Sequence, residues 1–106
     1  MDELWKIRAE IEIQPGELDL EPEYTTGFMN IVTWANSEES VAEKISTYFG
    51  TFQWRLLLID EASPIKDPSG CGPEIQEMIE RAEQNPNAII LGTFHAYPST
   101  LRRRIN

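Results

Sequence analysis

Asp60-Glu61 follows the apolar run Leu56-Leu57-Leu58-Ile59, a pattern similar to the strand by which ATPases bring carboxylates to magnesium and orient water. Phosphate chemistry also needs a glycine-rich loop with its lysine and hydroxyl. No Gly-x-x-x-x-Gly-Lys-Ser/Thr string occurs around any of the six glycines. The pair is therefore read as the acidic end of an ordinary strand. His95 is the only histidine and a possible acid or base beside such carboxylates. A nucleophile would have to accompany it, and neither Cys71 nor any serine stands in a supporting motif such as Gly-x-Ser-x-Gly. Cys71, in Ser-Gly-Cys-Gly-Pro, gains reactivity only if a helix N-terminus lowers its thiol pKa, and the plainer reading is an inert loop residue. As the sole cysteine it excludes an internal disulfide and a four-thiolate metal site.

A different chemistry is suggested by Glu17, Asp19, Glu21 and Glu23, four acids at alternate positions. On an extended chain they would form a ridge of carboxylates about 7 Å apart, a decoy for lysine and arginine. The spacing lacks the tighter acids, turn glycine and closing glutamate of a calcium loop, so no metal is expected. Tyr24 and Tyr97 are candidate aromatic anchors beside them, and Asp60 and Glu61 a second acidic group.

The elements that would carry these residues follow from periodicity. Trp5, Ile7, Ala9, Ile11 and Ile13 alternate with Lys6, Arg8, Glu10 and Glu12, which predicts a strand with one buried face. Pro15-Gly16 ends it, and residues 17–27 read as an exposed connection. Phe28 to Ala35 predicts a second strand. Asn36 and Glu39 have capping-box spacing, and Val41, Ala42, Ile45, Tyr48 and Phe49 form one helical stripe that Gly50 would stop in the left-handed conformation. Trp54 to Ile59, continuously apolar, predicts an interior strand. After a loop over Ser63 to Gly72, Pro73 opens a second helix with Ile75, Met78, Ile79 and Ala82 inward, and Asn85-Pro86-Asn87 closes it. Ala88 to Tyr97 is the last strand.

The order β-β-α-β-α-β predicts a single α+β domain over residues 1–106. It is expected as a two-layer sandwich, one mixed four-stranded sheet with two helices on one face, the first helix crossing over right-handed between parallel strands. A chain of 106 residues with 41% hydrophobic residues supports one core. No run approaches a membrane span and the N-terminus lacks a secretory pattern, so a cytoplasmic protein is expected.

Charge narrows the function classes. The net charge is −9, and three of the nine basic residues are Arg102, Arg103 and Arg104; residues 1–101 carry 18 acids and 6 bases, a net of −12. Such a body repels nucleic acid and anionic membranes and attracts basic proteins. The arginine tail lacks the interleaved aromatics of an RNA-binding surface and is expected to fold back on the body's carboxylates. In size and acidity the chain resembles the small immunity proteins that bacteria make against toxins, a resemblance of type that assigns no residues. The reading is a noncatalytic, cofactor-free module, monomeric or weakly dimeric. It would neutralise a basic partner such as a nuclease toxin domain through Glu17, Asp19, Glu21, Glu23, Tyr24, Asp60, Glu61 and Tyr97. The alternative is a small dimer that binds a small molecule or runs a minor reaction with His95.

Overall fold

The computed structural model describes residues 2–98; the arginine tail lies outside them. Four strands and two principal helices follow in the expected order: β1 (Glu3–Glu12), β2 (Thr26–Ala35), α1 (Glu38–Gly50), β3 (Arg55–Pro64), α2 (Pro73–Glu83) and β4 (Ile89–Tyr97). They form an α+β sandwich around one four-stranded sheet of strand order β3-β1-β2-β4. Short 3₁₀ turns at Glu17–Asp19 and Pro68–Gly70 complete the elements.

Every hydrogen-bonded pair in the sheet is antiparallel, where a mixed sheet was expected. β2 and β3 do run in the same direction, as a helical crossover requires, but β1 is inserted between them. The apolar run of β3 therefore lies on an edge and not in the interior. Its register against β1 shifts twice, between Arg8 and Ala9 and between Glu10 and Ile11. These irregularities allow Leu56 and Ile59 to pack against the core while Leu58 stands 50% exposed.

Side-chain parity decides where the helices go. Trp5, Ile7, Ala9 and Ile11 of β1 share a face with Met29, Ile31 and Ala35 of β2, and Val41, Ile45 and Phe49 of α1 close that core. Leu4 and Val32 point the other way, and with Ile90 they meet Met78, Ile79 and Ala82 of α2. The helices thus occupy opposite faces instead of the single face expected. A helix buries only one stripe, and β2, apolar on both sides, offers a wall to each. Each fully buried Ile or Phe of the first core contributes about 1.5–3 kcal/mol of apolar transfer.

Two local details also differ from expectation. Ser37, not Asn36, caps α1, its Oγ accepting from the Ser40 amide at 3.1 Å. Gly50 remains within the helix, and the left-handed residue that turns the chain into β3 is Gln53 at φ 63°, its carbonyl held by the Gln14 side chain at 2.7 Å. No helix among the described residues is long and apolar enough to cross a membrane.

Candidate functional site

The acidic ridge does not form. Residues 17–24 curl through the 3₁₀ turn, with Leu18 and Asp19 both at φ 56°, and a second turn closed by the Tyr24 amide on the Glu21 carbonyl at 2.9 Å. Alternation therefore no longer sends the carboxylates to one side. The Trp54 indole donates to Glu17 at 2.8 Å, while Leu20 packs on the α1-side core. Asp19, Glu21 and Glu23 stay exposed and Tyr24 is half-buried.

The other sequence-selected residues lie on the opposite face. α2 covers β2 and β4 toward one end of the sheet only, through Val32 and Ile90. It leaves open an area built by Arg8, Glu10 and Glu12 of β1, Phe28 of β2, Leu58 and Glu61 of β3, and His95 and Tyr97 of β4, which the strand registers align. Asp60, Glu61 and Tyr97 belong to this area; Glu17, Asp19, Glu21 and Glu23 do not join them.

Glu10 sits at the centre of the open area, 5% exposed, opposite Phe28 on one side and Leu58 on the other. Tyr97 donates its hydroxyl to Glu10 Oε2 and tilts its ring against Phe28 at 6.2 Å between centroids. The Arg8 guanidinium covers the same Phe28 ring at 4.9 Å and faces Asp60 at 3.7 Å. Lys6 with Glu61 at 4.0 Å and Arg55 with Glu12 at 3.5 Å complete a mosaic of long, solvent-exposed ion pairs. Exposed pairs of this kind contribute little, about 0–1 kcal/mol each, so their carboxylates are readily taken over by another cation.

A cleft of about 300 Å³ runs beside α2, lined by Arg8, Phe28, Met29, Asn30 and His95. At its α2 side Glu74 accepts from Asn30 at 3.3 Å and from the Thr93 hydroxyl at 2.8 Å. The Thr93 bond, with help from Asn30 and the nearby His95, holds the Glu74 carboxyl below its ordinary value of 4.5 against an opposing effect of burial. Among the described residues no group of three or more His, Cys, Asp or Glu is placed to hold a metal ion. His95 is exposed, and Cys71 lies half-buried under α2 beside Ile75 and Ile65, its Sγ 3.9 Å from the Asp67 carbonyl.

Arg8, Glu10, Phe28 and Leu58 were not selected from the sequence. The available signal was the charged alternate face of β1, Lys6-x-Arg8-x-Glu10-x-Glu12, which becomes a site only because β1 is a central strand. Sequence periodicity shows that face as wet without showing strands on both sides of it. The chain matches no family model, and no curated protein or solved structure is significantly similar to it.

Proposed function

We propose that this chain is a noncatalytic acidic module that binds a basic protein in the cytoplasm, as an immunity protein does with a nuclease toxin domain. The observation that carries the reading is how its charge is shared out. Lys6, Arg8, Arg55 and Lys66 are engaged with acids on β1 and β3 or their ends, and Lys44 donates to the Trp34 carbonyl at 2.8 Å. Exposed acids then outnumber the one exposed base, Arg81, on the outer side of α2, at Glu77, Glu80 and Glu83, and dominate the start of α1, at Glu38 and Glu39, and the β1–β2 connection, at Asp19, Glu21 and Glu23. Such a field draws in a cationic partner and sets its orientation.

The open sheet area is the contact surface this reading favours. Leu58, Phe28 and Tyr97 supply apolar and aromatic area at its middle, and Glu12, Asp60 and Glu61 surround them with weakly held carboxylates. Arginines of a partner would replace Lys6, Arg8 and Arg55 at those acids.

The test is recovery of the partner from the native cell with the intact chain as bait, followed by reconstitution from purified proteins. Association should slow steeply with added salt, and the Asp60→Lys, Glu61→Lys double variant should reduce the association rate by about tenfold. Leu58→Asp should instead speed dissociation. An acidic partner, or rates indifferent to salt, would remove the reading. A small-molecule role has one observation in its favour, the cleft lined by His95, Arg8 and Asn30. A metabolite retained by the purified chain and shifting the His95 ring resonances would support it.

A further inference from the structure

The two edges of the sheet are not equally protected. β3 carries Arg55, Asp60 and Glu61 and two register shifts, devices that keep an edge strand from pairing with other chains. β4, the other edge, has one shift against β2 and no Lys, Arg, Asp or Glu from Ile89 to Tyr97. On the α1 side it is incompletely covered: α1 lies over β3 and β2, and Ile89, Leu91 and Phe94 of β4 are only half-buried. Two grooves open there. One, of about 640 Å³, is bounded by Ile89 and the α1 residues Lys44, Thr47 and Tyr48. The other, of about 350 Å³, is bounded by Leu91, Phe94, Trp54 and Leu18. Ile89 and Leu91 are two residues apart, so alternate side chains of an added strand would reach one groove and then the other.

Resting on the reading above, we propose that β4 is the docking edge for an extended segment of the basic partner, which joins the sheet as a fifth strand. Charge selects this occupant over a second copy of the chain. Two chains of net charge −9 repel each other as whole bodies, whereas a lysine- or arginine-bearing strand is attracted. Its apolar side chains would face the grooves, and its basic ones the side of β4 where Glu74 stands.

The test uses the full chain and three synthetic octapeptides: one alternating lysine and valine, the same peptide with alternate backbone amides methylated, and one alternating glutamate and valine. Residue-resolved amide exchange should slow about tenfold on β4 with the lysine peptide and stay unchanged on β3, while methylation weakens binding at least tenfold. Equal binding by the methylated peptide, protection located elsewhere, or no binding by the lysine peptide would overturn strand addition while leaving an acidic binder intact. Preference for the glutamate peptide would overturn the acidic-binder reading itself. Outward β4 amides already protected in the chain alone at micromolar concentration would show the edge taken by something other than a partner.

Discussion

Tyr97 and Glu10 tie the last described strand to the first, the hydroxyl of the last residue of β4 donating to a carboxylate near the end of β1. Tyr97→Phe keeps the ring on Phe28 and removes that donor from a nearly buried acid, so a loss of about 1–3 kcal/mol is expected in urea titrations. The sequence offers Tyr97 as a candidate aromatic anchor for a partner; nothing local identifies a hydrogen-bond acceptor 87 positions away. Glu74 makes a second residue-scale prediction. Its folded pKa is lowered, chiefly by Thr93, so this contribution to stability is fully present well above 4.5 and lost as pH falls through the folded value. Thr93→Val should therefore be less stable than the parent near neutrality, with the gap narrowing below pH 4.5 in unfolding midpoints measured across that range.

At the scale of elements, the order of strands and helices was legible because each carries its own period, with turn residues at most junctions. Strand neighbours were not, because pairing is a long-range property. The continuous apolar run of β3 predicts an interior strand, whereas the run reflects α1 packing on one side and Leu58 left exposed on the other. The seam between β2 and β4 offers a sharp test. A Cβ at Gly27 would lie 2.5 Å from the His95 carbonyl oxygen and 2.8 Å from the Ala96 Cα, both backbone atoms that cannot swing aside. Gly27→Ala should cost about 1–3 kcal/mol and raise exchange rates along β4. Ser37→Ala, by contrast, removes one cap bond from α1 and should cost about 0.5–2 kcal/mol without touching the sheet.

For the whole molecule, the order of elements indicates the α+β body and the composition its surplus negative charge, but neither shows how that charge is spread. The carboxylates cover several sides, and the residues expected to share one contact surface are divided between the β1–β2 connection and the open sheet area. Repulsion among them should ease as salt is added, so the urea midpoint is expected to rise between low and physiological ionic strength. The placement of one helix on each face carries a further consequence. The two apolar clusters share only the thickness of the sheet, so the molecule need not come apart all at once. α2, resting on the smaller cluster of Val32, Met78, Ile79 and Ala82, is the part that should detach first, exposing its amides to exchange while α1 and the paired strands β1 and β2 stay closed.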